Sequence, residues 1–306
     1  MILTVTLNAA LDITYQVPAL TPHATHRVGE VHERPGGKGI NVARVLCALG
    51  HETVVTGFAG GHTGAVLREM LAPLAPRDAL VTVAGTTRRT IAVVDDASGD
   101  TTQLNEPGPT VTPEEWTAFL TAYDSLLTGA EAVALCGSLP PGIHVGAYAD
   151  LVRRARASGV PVLLDTSGEP LRRGIAARPD VIKPNADELA RLTGSREPLR
   201  ATRDARRRGA HAVVASLGPD GLVAATPDGT WQASPPTAVR GNPTGAGDSA
   251  VAGLLSGLVE GLRWPERLAR AVALSAATVL APAAGEYDAA AYDKLLPQIA
   301  VTDISP

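Results

Sequence analysis

The sequence predicts an α/β fold: a mostly parallel sheet with helices on both faces, plus a small β-sheet lid. Three observations predict it. Short, continuous apolar runs end in polar or glycine-rich sequence, helical patterns separate them, and two polar segments interrupt the alternation. Leu3 to Leu7 is the first run and stops at Asn8. Val42, Val45, Leu46 and Leu49 then repeat at i, i+3, i+4, i+7, which predicts a helix with Gly50 as its C-cap. Residues 13–34 and about 85–105 are richer in charge, Thr and His. Thr90 to Asp95 followed by Ser98-Gly99-Asp100 reads as a strand and turn. Together these two segments form the expected lid.

Thr112 with Glu115 fits a capping box that opens a helix through about Thr128. Four more runs follow. Ala132 to Leu135 ends at Cys136-Gly137-Ser138, Val160 to Leu164 at Asp165, Val181-Ile182 at Lys183-Pro184-Asn185, and Ala212 to Ala215 at Ser216-Leu217-Gly218. The stretch Arg196 to Arg208 holds six arginines mixed with Glu197 and Asp204, and reads as a solvated helix face. Val251, Leu254, Leu255, Leu258 and Leu262 predict a strongly amphipathic helix after Asp248. Right-handed crossovers put all five strand ends on one edge, so Asn8, Ser138, Asp165, Lys183, Asn185 and Ser216 gather around one crevice. Each of them singly is equally read as a polar residue ending a strand. No linker or internal repeat divides the chain, so residues 1–306 read as one domain.

Composition narrows the function classes. Apolar residues make up 45% of the chain, and the longest uncharged apolar run, Ala271 to Gly285, is broken by Pro282 and too short to span a bilayer. Met1 to Val5 follow no basic segment, which argues against a secretory signal. A net charge of −4 argues against a nucleic-acid surface. Cys47 and Cys136 make neither a disulfide framework nor a zinc quartet. A soluble, cytoplasmic globular protein is the expectation.

Two glycine stretches carry chemistry. In Pro35-Gly36-Gly37-Lys38-Gly39-Ile40-Asn41 the glycines let a ligand approach the backbone at a helix N-terminus, although a tight turn needs the same residues. Ile40 stands where a Walker A loop has Ser or Thr. In Asn242-Pro243-Thr244-Gly245-Ala246-Gly247-Asp248 the amides of Gly245, Ala246 and Gly247 can face developing negative charge. Asp248 is then a proton acceptor, or simply a helix N-cap. Asn185-Ala186-Asp187-Glu188 opens a helix; Glu188 either completes a cap or arranges water around Mg²⁺, which takes few carboxylates. Ser216 to Gly221 reads as a turn between strands or a glycine-edged nucleotide contact.

Taken together these motifs resemble the ribokinase-like, or PfkB-type, carbohydrate kinases over nearly the whole chain. Gly36 to Asn41 looks like the first family signature, Gly245 to Asp248 like the second, and Asn185-x-x-Glu188 like the magnesium-associated motif. Thr6-Leu7-Asn8, Gly137 to Gly142, Lys183-Pro184-Asn185 and Asn242-Pro243 are most similar to the phosphosugar branch, which holds 1-phosphofructokinase and tagatose-6-phosphate kinase. The resemblance implies a Rossmann-like core, a lid that often mediates dimer contact, and transfer of the ATP γ-phosphoryl to a hydroxyl of fructose 1-phosphate or tagatose 6-phosphate.

It also implies roles. Asp248 would be the base and Gly245 to Gly247 the anion hole. Asp12 would hold sugar hydroxyls with Gly36, Gly37, Lys38, Asn41 and Ser138. Arg27, Lys38 and Arg89 would clamp the sugar's phosphate, and Lys183, Asn185, Ser216, Gly218 and Gly221 would lie along ATP, with Glu188 near Mg²⁺. The chain departs from the branch at Asn8-Ala9, usually Asn-Pro, and from the wider family at Asn242, usually Asp. The competing readings are a kinase of an unphosphorylated sugar or nucleoside, and a non-catalytic sugar-phosphate sensor.

Overall fold

The structure is a computed structural model that describes residues 1–74, 76–281 and 285–305. Its large sheet has eleven strands. At the centre lies β1 (Ile2–Thr6), flanked by β4 (Thr53–Gly60) and β9 (Ala132–Cys136). Beyond β9 follow β10 (Val162–Asp165), β11 (Val181–Ile182) and β12 (Ala212–Ser216), all parallel. β13 (Leu222–Ala225), β14 (Thr230–Ser234) and β15 (Ala300–Asp303) extend this side as an antiparallel edge. On the other side β5 (Arg77–Asp78) and β6 (Val81–Val83) both pair with β4.

The five predicted strands are present, and their ends lie along one edge as the crossover rule requires. β4 is not among the predicted runs. It is buried throughout yet reads Thr-Val-Val-Thr-Gly-Phe-Ala-Gly, with two threonines and two glycines interrupting its apolar run. The antiparallel pairing of β12 with β13 fits the turn read at Ser216 to Gly221, whereas β14 and β15 lie outside the predicted pattern.

The two faces of the sheet pack differently. Val133 and Leu135 of β9 join Phe119, Tyr123 and Tyr148 in one core cluster. Ala132 and Ala134, pointing the other way, join Val42, Val45, Val251 and Leu255 in a second. Small residues on that second face bring in α1 (Lys38–Ala48) and α8 (Ala246–Val259). The first face is covered by α3 (Pro113–Leu127), α4 (Ala147–Ala157), α5 (Gly168–Ala176), α6 (Ala186–Thr193) and α7 (Pro198–Arg207). α2 (Gly61–Leu71), α9 (Trp264–Val279) and α10 (Ala289–Leu295) complete the helices among the described residues. The Thr112–Glu115 capping box is formed and the helix it opens ends at Leu127.

α8 corrects an expectation. It is not strongly amphipathic: every residue from Asp248 to Gly257 is buried, because Ala250, Ala252, Gly253 and Gly257 make it slim enough to be enclosed. A Cβ on Gly253 would stand 2.7 Å from Ala271 Cα of α9. The helix also ends at Val259, before Leu262.

α1 is seated equally tightly. A Cβ at Gly39 would lie 2.3 Å from Thr6 Oγ1 and 2.8 Å from the Val5 carbonyl oxygen. Gly39→Ala must therefore lift α1 from β1, with an expected loss of about 1–3 kcal/mol. A calorimetric unfolding midpoint equal to that of the parent would contradict this packing.

The lid is a four-stranded sheet in the order β3-β2-β7-β8. Its strands are β2 (Ala10–Val17), β3 (Val31–Gly36), β7 (Arg88–Asp95) and β8 (Thr101–Asn105), so the first segment runs slightly beyond the expected 13–34 while the second lies within 85–105.

Candidate active site

Three adjoining chambers run along the C-terminal edge of the large sheet, two of them lined in part by the lid. The middle one, of about 430 Å³, is lined by Asp12, Lys38, Asn41, Asp165, Lys183 and Asp248 among others. It shares Gly37, Lys38, Arg88 and Glu188 with a polar chamber of about 530 Å³ that reaches Asn8 and Ser138. It shares Ser216 and Gly247 with a third, of about 490 Å³, whose walls include Gly218, Gly221, Leu222, Val239, Val272 and Val279. A polar and a mainly apolar chamber thus meet at the start of α8.

Local sequence explains that meeting point. Gly245 caps α8 with φ 84°, a left-handed conformation in which a side chain is costly, and no side chain caps the helix. The Ala246 N–H donates to the Pro243 carbonyl at 3.2 Å. This corrects the expected anion hole, since that amide is already engaged. The amides of Gly245, Gly247 and Asp248 carry no hydrogen bond among the described residues. Asp248 sits in the first turn, 7% exposed, and one of its oxygens, Oδ2, accepts from Asn41 Nδ2 at 2.9 Å. Burial, with help from the nearby Asp165 carboxylate, pushes its carboxyl up to about 6 against the pull of Lys38, Asn41 and Lys183.

Asp165 organises the cations. Lys38 Nζ lies 3.3 Å and Lys183 Nζ 3.7 Å from its Oδ1, and Asp165 and Lys183 are almost wholly buried. The Asp165 carboxylate holds the Lys38 ammonium above its usual range. The two ammonium groups and the bare amides thus set cationic and N–H donors beside Asp248, with Asp165 balancing part of their charge.

Asp12 reaches the crevice from the lid. The first-signature glycines allow it: a Cβ on Gly36 would lie 2.1 Å from Asp12 Cγ, so Gly36 itself is packed behind that carboxylate. Gly37 takes φ 111° at the N-cap of α1. Burial raises the Asp12 carboxyl to about 6, opposed by Thr90, Arg88 and Arg44. Asn8 Nδ2 donates to Ser138 Oγ at 3.1 Å, fixing the far wall of the polar chamber.

Two of the expected clamps are not brought in. Arg27 lies on an exposed stretch, and Arg89 points away, with its Nη2 2.7 Å from Glu106 Oε1. Arg88 faces the crevice instead, its Nε donating to the Asn8 carbonyl at 3.1 Å. Strand parity is the reason: Ala10 pairs with Arg88 and Asp12 with Thr90, so 88 and 90 share Asp12's face while 89 takes the other. Asp165, Arg88 and Thr90 are the residues that sequence reasoning left without a role. Asp165 was legible as a strand end, and the period of two along β7 was the signal for Arg88.

Asn185 and Glu188 form a complete capping box on α6, with Glu188 Oε2 accepting from the Asn185 N–H at 2.9 Å. Glu188 also lines the middle chamber, and its other oxygen has no hydrogen-bond partner among the described residues. No group of three or more His, Cys, Asp or Glu able to hold a metal occurs among the described residues. One open carboxylate fits an ion held mainly by water and phosphate oxygens, as Mg²⁺ is.

Comparison with known proteins agrees with this geometry. A family model described as pfkB family carbohydrate kinase matches residues 5–289. A 1-phosphofructokinase of Rhodobacter capsulatus is 39% identical over 289 residues, covering 92% of each chain. Phosphofructokinase-2 from Escherichia coli in complex with fructose-6-phosphate superposes with a TM-score of 0.88 at 30% identity, covering 97% of this chain and 98% of that one. A Thermotoga maritima protein described as a possible 1-phosphofructokinase gives 0.89 at 28% identity over all of both chains. With its sheet, lid and both glycine signatures in place, this chain belongs to the pfkB family of carbohydrate kinases.

Proposed function

We propose that the chain is an ATP-dependent kinase that phosphorylates a hydroxyl of a hexose monophosphate, with fructose 1-phosphate as the acceptor. The observation that carries this reading is the position of Asp248: one buried carboxylate beside bare amides, where a polar chamber meets an apolar one. The apolar chamber takes the adenine ring beside Gly218 and Gly221, and Ser216, Lys183 and Asn185 follow the nucleotide toward the centre. Asp12, Asn41 and Gly37 hold sugar hydroxyls. Arg88, with Lys38, holds the phosphate already on the sugar.

Asp248 takes the proton of the acceptor hydroxyl. That oxygen forms the new bond to the γ-phosphorus as the bond to the β-bridging oxygen breaks, and ADP leaves with the electron pair. The amides of Gly245 and Gly247 and the two lysines stabilise the transferred charge. Mg²⁺, when bound, would supply positive charge that offsets the phosphates, and Glu188 would hold it through water.

A base near 6 is well matched to neutral pH. Activity is expected to fall about tenfold per pH unit below about 6, where Asp248 becomes protonated. A flat kcat profile between pH 5 and 8 would contradict the assignment.

The lid's exposed apolar residues support a homodimer: Val31 is 53% and Leu104 58% exposed, and Leu20 and Val28 are also exposed on the first lid segment. No helix of the described residues is long and apolar enough to cross a membrane. A coupled ADP-release screen tests the substrate. Turnover with fructose 1-phosphate well above that with tagatose 6-phosphate, fructose, ribose or adenosine is expected. Preference for an unphosphorylated sugar, or no ADP release with any acceptor, would overturn the reading.

A further inference from the structure

A separate cavity of about 830 Å³ opens at the opposite edge of the large sheet, where β10, β11 and β12 begin. The four- and five-residue strands between put it about 13–17 Å from the crevice. Its wall holds five arginines, Arg156, Arg178, Arg203, Arg206 and Arg207, together with His211 and one carboxylate, Asp180. Three of these arginines belong to the run that reads as a solvated face in the sequence. In the structure Arg203 and Arg206 are instead partly buried.

Basic residues suit the ends of helices, and α4, α5 and α7 all finish at this edge, so helix dipoles explain part of the charge. They do not explain all of it. Arg207 is paired with Asp204, whereas Arg156, Arg178, Arg203 and Arg206 have no carboxylate partner among the described residues. Those four positive charges face Asp180, which already accepts from the Val162 N–H, and three helix ends worth about half a negative charge each. About one and a half positive charges are left over, close to the charge of a phosphate monoester at pH 7, about −1.5 to −2.

Two details aim this charge at a ligand. Arg203 Nη2 is buried with no hydrogen-bond partner among the described residues, a costly state for a guanidinium that a nearby anion would relieve. Arg156 and Arg206 are fixed through carbonyls, of Arg178 and His211, which leaves the rest of each guanidinium fork open.

We propose that this cavity is a second anion site, taking the phosphate group of a small phosphorylated metabolite between Arg156, Arg178, Arg203 and Arg206. Its volume lies within the range of small-molecule pockets, about 300–1,000 Å³.

Titration calorimetry with inorganic pyrophosphate tests it. The parent protein should show two binding events, one in each region. Arg203→Gln should weaken one event about ten- to hundredfold, and so should Arg156→Gln, an exposed position whose replacement leaves the core untouched. Arg88→Gln in the crevice should weaken only the other event. Parental affinity in both Arg156→Gln and Arg203→Gln, or loss of all binding in Arg88→Gln, would overturn the proposal. Neither result depends on which sugar the crevice accepts.

Discussion

Asp248→Asn is expected to lower kcat by at least ~10²-fold while raising thermal stability at neutral pH. The two effects have one origin. Asparagine keeps the shape and can still meet Asn41, but it cannot take a proton. The stability gain follows from linkage. The Asp248 carboxyl is raised from 3.8 to about 6 by folding, so between those values the folded state binds more protons than the unfolded one. Its burial therefore costs nothing below about 4, and the cost grows as pH rises through 6. Removing the charge should recover on the order of 1–3 kcal/mol at pH 7 and almost nothing at pH 4. Calorimetric melts at both pH values, with turnover measured in parallel, check this. A variant that is slow and equally destabilised at both pH values would point to a damaged fold, not a missing base.

Arg88→Gln is expected to raise KM for the sugar phosphate about ten- to hundredfold, with KM for ATP changed by less than about threefold. The guanidinium faces the polar chamber, away from the apolar one. Arg89→Ala is the control: its guanidinium is paired with Glu106 at the surface, so both KM values should hold. Steady-state kinetics with each substrate varied would separate them. A larger effect from Arg89 than from Arg88 would contradict the placement of the clamp.

Much of this was legible in the sequence, and the remainder fails for identifiable reasons. β9 and β12 are short, apolar and cleanly ended, so periodicity finds them. β4 escapes because its buried threonines and glycines look like turn sequence, although Gly57 is there because a Cβ would lie 2.0 Å from the Thr6 carbonyl oxygen. The N-terminus of α8 is marked by Gly245 and Asp248, but its complete enclosure depends on what α1 and α9 bring to it. Choosing between Arg88 and Arg89 needs a strand register, which only the pairing of β7 with β2 supplies. Asp165 ends a strand like any polar residue until Lys38 and Lys183 converge on it.

A crystal structure with fructose 1-phosphate and a non-hydrolysable ATP analogue would decide most directly whether Asp248 is where proton and phosphoryl transfer meet. The acceptor oxygen should lie about 2.6–3.2 Å from an Asp248 carboxylate oxygen, with the γ-phosphate facing the amides of Gly245 and Gly247. An acceptor oxygen hydrogen-bonded to Asp12 or Asp165 and out of reach of Asp248 would contradict the account.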